Sequence, residues 1–137
     1  MGSATAEAVL DTSAILAVLL SERGAESVAA VMSRSLVSVA NEAEVITVLI
    51  RNGAQPKRAL EIVLGLTYQV VDLDAALARR AGTLWREVKP RGLSLGDRCC
   101  LALAEREKLP ALTADQRWAD LPLDVEVRVF RRSKKGR

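Results

Sequence analysis

Five short apolar runs, at 8–10, 36–39, 69–73, 111–113 and 125–130, alternate with longer stretches whose apolar residues recur at helical spacing. Runs this short are strands rather than buried helices, and strands separated by helices pair in parallel. The pattern predicts an α/β fold: a three-layer α/β/α sandwich with a mainly parallel central sheet. Helices are expected at 14–22, 25–34, 41–52, 56–66, 75–88 and 95–108. Asn41 and Asp74 read as helix caps, Pro56 as a first-turn residue, and Asn52-Gly53 as a C-terminal stop. A chain of 137 residues fits one compact domain, here 1–130, followed by a short tail at 131–137. Half the residues are hydrophobic but only four are aromatic, so the core must be aliphatic.

The chain contains no histidine. Ser-His-Asp and Cys-His nucleophilic catalysis are thereby excluded, as are imidazole acid–base ribonucleases and nearly every zinc hydrolase site. Chemistry must come from carboxylates, hydroxyls, cations or a bound metal. Cys99 and Cys100 are adjacent, diverge on a helix, and read as small core residues in a reducing compartment. The N-terminus lacks a basic region followed by an apolar run, and the longest apolar stretch, 14–20, is too short to span a bilayer. A cytoplasmic protein with no membrane contact is expected. The net charge of +3 is uneven: residues 128–137 carry six basic side chains and no acid, leaving 14 basic against all 17 acidic residues in the body. Such a tail can hold a polyanion or simply solvate the chain end.

In an open parallel sheet, ligands bind beyond the carboxyl ends of the strands. The first strand leaves into Asp11-Thr12-Ser13, and the fourth into Ala114-Asp115. Asp97 begins the helix after a Pro-Gly loop, and Glu44 sits near the start of the helix after the second strand. Four carboxylates can therefore meet at one pole. Like charges crowded together raise one another's pKa, a penalty that a hard cation removes. Oxygen donors without imidazole favour Mg²⁺ or Mn²⁺. Ser13 and Thr113 could orient a carboxylate, and Arg98, Arg117 or the tail could hold flanking phosphates. Each acid also has an ordinary use. Asp11 and Asp115 could cap the turns that follow them, and Ser94…Asp97 and Asn41…Glu44 match capping boxes. Trp118 reads as a core plug, with base stacking as the alternative. Glu42 rivals Glu44, while Asp120 and Asp124 read as solvated surface.

Four blocks, 10–16, 41–45, 93–104 and 112–118, closely resemble the PIN-domain ribonucleases, and most closely the VapC toxins of toxin–antitoxin pairs. The resemblance runs in order along nearly the whole chain. It implies a PIN fold and Mg²⁺- or Mn²⁺-dependent endonucleolytic cleavage of RNA, with Asp11, Glu44, Asp97 and Asp115 holding the metal. It selects Glu44 over Glu42 and makes Ser13 and Thr113 supporting polar residues. It further implies a VapB-like antitoxin and a homodimer or toxin–antitoxin hetero-oligomer. Two rivals stand beside it: a catalytically inactive PIN-like module that binds RNA or a partner, and a phospho-receiver domain. The receiver requires a lysine after a late strand, where this chain has Thr113-Ala114-Asp115.

Overall fold

The structure, a computed structural model, describes residues 6–131; the rest of the basic tail lies outside the described residues. Strands β1 (Ala8–Leu10), β2 (Ser35–Ser38), β3 (Gln69–Val71), β4 (Ala111–Thr113) and β5 (Val127–Val129) form one sheet in the order β3-β2-β1-β4-β5. All four pairings are parallel, so the sheet is wholly rather than mainly parallel. The helices are α1 (Thr12–Leu19), α2 (Ala25–Ala29), α3 (Val39–Arg51), α4 (Pro56–Leu64), α5 (Ala75–Thr83), α6 (Trp85–Val88) and α7 (Leu95–Glu107). The chain builds outward from β1 to β3 and then returns to the other side of β1 for β4. The receiver-type order 2-1-3-4-5 is therefore absent, and the switch point lies between β1 and β4.

The three layers follow from alternation along the strands. Ala8, Leu10, Val37 and Leu112 face one core, with Ile15, Val28, Val45, Leu49 and Val63 from α1–α4. Val9, Leu36 and Ala111 face the other, with Leu77, Ala81, Val88 and the run from Cys99 to Ala104. With both faces covered, the strands need no polar alternation. Trp118 is fully buried in the second core, where it acts as the expected plug.

Several element ends differ from expectation. The third helix starts at Val39, because Ser38 rather than Asn41 is the cap and accepts from the Ala40 N–H at 3.3 Å. Glu44 consequently lies one turn deeper in the helix than expected. The stretch expected at 25–34 divides into α2 and a 3₁₀ turn, Met32–Arg34. The expected helix at 75–88 is interrupted at Leu84, although the backbone there stays in the right-handed helical region (φ −61°, ψ −21°). Gly24 begins α2 at φ +88°, and a Cβ there would lie 2.8 Å from the Phe130 ring, so only glycine lets the end of β5 pack on this turn.

Candidate active site

The switch point opens into a cleft of about 430 Å³ whose lining includes Asp11, Glu44, Asp97 and Asp115, with Leu16, Ala43 and Val48 among its apolar residues. The four acids reach it from the end of β1, from α3, from the start of α7 and from the end of β4.

Asp11 is only 3% exposed. It occupies the N-cap position of α1 but makes no side-chain cap bond. Its Oδ2 instead accepts from the hydroxyls of Ser13 (2.8 Å) and Thr113 (2.9 Å). Each hydroxyl spends its one proton there, so the 3.3 Å between the two oxygens is a contact rather than a third bond. Their lone pairs take the N–H groups of Ala114 and Asp115 at 2.9 and 3.1 Å. Asp11 Oδ1 is buried without a hydrogen-bond partner. Burial first, and then the charge of Asp97, push this carboxyl from 3.8 up to about 6 despite the two hydroxyl donors and the nearby backbone N–H of Thr12.

Glu44 does not reach back to cap its helix. Its Oε1 accepts from Thr12 Oγ1 at 2.5 Å and from the amide of Asn41 at 3.3 Å. The same amide, wholly buried, reaches Thr12 Oγ1 at 3.0 Å and the Gly96 carbonyl at 3.2 Å, so it ties α1, α3 and α7 together around the carboxylate. A Cβ on Gly96 would collide with the Glu44 carboxyl group, so α7 approaches α3 closely only because residue 96 has no side chain. Glu42 points elsewhere and accepts from the Tyr68 hydroxyl at 2.7 Å.

Asp97 does what its capping-box sequence predicts. It accepts from the Ser94 N–H (2.8 Å) while its own N–H donates to Ser94 Oγ (3.1 Å). Burial raises its pKa, and the charges of Glu44 and Asp115 add to that. Burial would raise Asp115 too, but the Arg117 guanidinium and backbone N–H outweigh it and hold the carboxyl below its ordinary value. Arg117 Nη2 donates to Asp115 Oδ2 at 2.6 Å. Capping thus accounts for Asp97 and Asp115 but not for Asp11 or Glu44.

Asp120 and Asp124 are exposed and do not line the cleft. Arg98 is not brought to it either: its guanidinium donates to the Ala81 carbonyl at 3.1 Å, across the α5–α7 contact. The cleft's unforeseen cation is Arg51. Helical spacing was the available signal, because Glu44, Thr47, Val48 and Arg51 follow one face of α3. Asn41, Thr12 and Gly96 were missed as site residues for a different reason: each acts through a distant element. Cys99 and Cys100 are free and buried, and burial pushes both thiols up, so they stay protonated.

Among the described residues, no three acidic or thiol groups are arranged to hold a metal ion as they stand. The donor set nevertheless suits a hard cation: four carboxylates, one with a buried, unpartnered oxygen, and no nitrogen ligand.

A model of the PIN domain matches residues 8–123. The chain belongs to the PIN-domain family. No curated protein matches it. Among solved structures, this PIN domain is similar to a toxin–antitoxin complex from Klebsiella pneumoniae, at 22% identity and TM-score 0.68 over 88% of this chain and 99% of that one. It is also similar to DNA-bound VapBC from Salmonella typhimurium (21%, TM-score 0.68, 90% and 97% covered). A third match is a sarcin–ricin-loop-cleaving VapC toxin of Mycobacterium tuberculosis (19%, TM-score 0.68, 88% and 99% covered). At these identities the likeness is one of fold. The PIN domain therefore has the fold of VapC-type toxins, as its four sequence blocks suggest.

Proposed function

We propose that this chain is a Mg²⁺- or Mn²⁺-dependent endoribonuclease that acts in the cytoplasm as the toxin of a toxin–antitoxin pair, restrained by a VapB-like antitoxin and working as a homodimer or within the hetero-oligomer. The observation that carries the proposal is Asp11. A carboxylate this deeply buried, with one oxygen saturated and the other unpartnered, is an unstable arrangement unless a cation completes it. Asp11, Glu44, Asp97 and Asp115 would hold the ion. The chemistry it supplies when bound is Lewis acidity toward water and toward the oxygens of a phosphodiester.

The protein's own groups do the rest. Ser13 and Thr113 fix Asp11 by donating to Oδ2, which leaves Oδ1 as the free donor atom. Thr12 and Asn41 fix Glu44 in the same way. Asp11 keeps a proton below about pH 6 and must release it when a cation binds. Asp97 and Asp115 are held by Ser94 and Arg117 and would turn inward from those partners. Arg51 is placed to hold a substrate phosphate at the rim. By family resemblance the products carry 5′-phosphate and 3′-hydroxyl ends.

The engagement of Asp115 by Arg117 favours a second reading, an inactive module that binds RNA or a partner. Incubation of the purified protein with RNA separates the two. Cleavage that requires Mg²⁺ or Mn²⁺, stops in EDTA and is lost in Asp11→Asn supports the nuclease. No cleavage with either metal, or cleavage undiminished in Asp11→Asn, overturns it.

A further inference from the structure

Trp85 is half exposed, whereas the chain's other tryptophan is completely buried. One exposed aromatic is unremarkable by itself; the charges around it are not. Elsewhere on the surface most arginines are matched to acids: Arg34 to Glu7, Arg80 to Glu105, Arg106 to Asp74, Arg131 to Glu22. Beside Trp85 the pattern reverses. Among the described residues, Arg79, Arg86, Lys89 and Arg91 have no ion pair, and Glu87 of the same short helix is taken by Arg80. Lys89 Nζ lies 5.2 Å from the centre of the Trp85 ring.

Because Leu84 keeps a helical backbone, Arg79, Gly82 and Arg86 follow one face across the α5–α6 junction. Gly82 leaves that face bare, with nothing within 4 Å of where a Cβ would be. The patch is also tied to one of the cleft's acids through Arg117. Arg117, the residue that clamps Asp115, donates through Nη1 to the carbonyls of Arg91 and Gly92 at 3.3 Å each. Trp85 and Arg91 lie on consecutive short elements, α6 and the 3₁₀ turn Lys89–Arg91.

We propose that Trp85, with Arg79, Arg86, Lys89 and Arg91, forms a binding platform for single-stranded RNA beside the cleft, with the indole stacking on an unpaired base and the cations holding the phosphates on either side of it. The proposal rests on the RNA-cleaving reading of the cleft and adds cations beyond the Arg51 of its lining. Four carboxylates attract a metal but repel a polyanion, so strand beyond the scissile position needs cations outside the acidic centre. An exposed ring surrounded by cations suits an unstacked base and its backbone. A second copy of this chain suits it poorly, because like charges would meet across the contact.

The test is binding, measured in EDTA so that cleavage plays no part. The protein is titrated with a single-stranded RNA of about a dozen nucleotides, a length within the usual range of such sites. Emission from Trp85 should be quenched as RNA is added, while Trp85→Ala, left with only the buried Trp118, should show no quenching. Affinity should fall about 5- to 150-fold in Trp85→Ala and much less in Trp85→Phe. In the double variant Lys89→Ala/Arg91→Ala, the slope of log affinity against log salt should shrink by about 1.4, or 0.7 per lost phosphate contact. Circular dichroism verifies that each variant is folded. Wild-type affinity and salt slope in both Trp85→Ala and the double variant overturn the platform, whatever the cleavage result. So does a wild type that binds no RNA. A Trp85→Ala change in self-association without a change in RNA affinity overturns it too, because the face is then a protein interface. Weakened binding in a protein that cleaves nothing with either metal upholds the platform and refutes the nuclease.

Discussion

The metal-free protein should become less stable as the pH rises toward neutrality, and Asp11 should be the main cause. Its carboxyl is shifted from 3.8 in the unfolded chain to about 6 in the folded protein. Between those values the folded state keeps a proton that the unfolded chain has released, so stability falls with rising pH. Above about pH 6 the whole penalty is present, roughly 3 kcal/mol at 1.36 kcal/mol per pH unit. For a domain of this size that corresponds to roughly 10 °C in Tm. Asp97 is shifted in the same direction, and Asp115 in the opposite one. Asp11→Asn isolates the single group, because it keeps the shape and an acceptor for Ser13 and Thr113. Denaturant unfolding in EDTA, followed by circular dichroism from about pH 4 to pH 7.5, gives the two stability curves. The wild type should lose about 2.4 kcal/mol relative to Asp11→Asn across that range, because at pH 4 the unfolded chain has already released part of its proton. At the neutral end, Mg²⁺ at about a hundred times its Kd should return about 2.7 kcal/mol to the wild type and much less to the variant. Parallel curves, or a wild type that gains relative stability as pH rises, would refute the assignment of a strained buried carboxylate.

Three further substitutions test the surroundings of that group. Gly96→Ala should displace the Glu44 carboxyl group, costing about 1–3 kcal/mol by overpacking and more than tenfold in metal-dependent cleavage; unfolding and rate measurements check both. Ser13→Ala removes a donor from Asp11 and an acceptor from the Ala114 N–H, at a cost of about 1–3 kcal/mol. A lost donor to a carboxylate raises its pKa, so the acid limb of the pH–rate profile should move to higher pH. Gly24→Ala, which forces a side chain onto a left-handed backbone and into the Phe130 ring, should destabilise by about 1–3 kcal/mol and leave Mg²⁺ affinity unchanged by calorimetric titration.

The layers were legible because strands buried on both faces and helices buried on one leave different periodicities, and those patterns are local. The pole at which the acids meet was legible too, since parallel topology sends every strand's carboxyl end the same way. What escaped were contacts between elements. Asn41 looks like a cap in sequence, but its amide is spent on Thr12, Glu44 and the Gly96 carbonyl, three groups on three helices. Gly96 carries no sequence signal for the carboxyl group that fills its missing side chain. Arg98 and Arg117 looked alike as rim cations, yet one reaches across to α5 and the other grips Asp115. Glu42 and Glu44 differ by only two residues, but on a helix that spacing sends them to different neighbours, Tyr68 and Thr12.

The hydroxyl of Thr113 that supports Asp11 comes from a residue 102 positions later in the chain. The backbone N–H of Asp11 is likewise bonded to the carbonyl of Leu112. The half of the sheet that begins with β1 therefore cannot complete its own site. A chain emerging from the ribosome holds Asp11 from the start but has neither β4 to fix it nor Asp115 beside it until nearly all of the domain has been made. Pairings of such long range are also slow to form, because the entropy of closing the loop is spent before the contact rewards it. A protein whose proposed substrate surrounds it during its own synthesis would thus stay harmless until its last strands are in place, because the topology of the sheet sets the time at which the cleft comes into being.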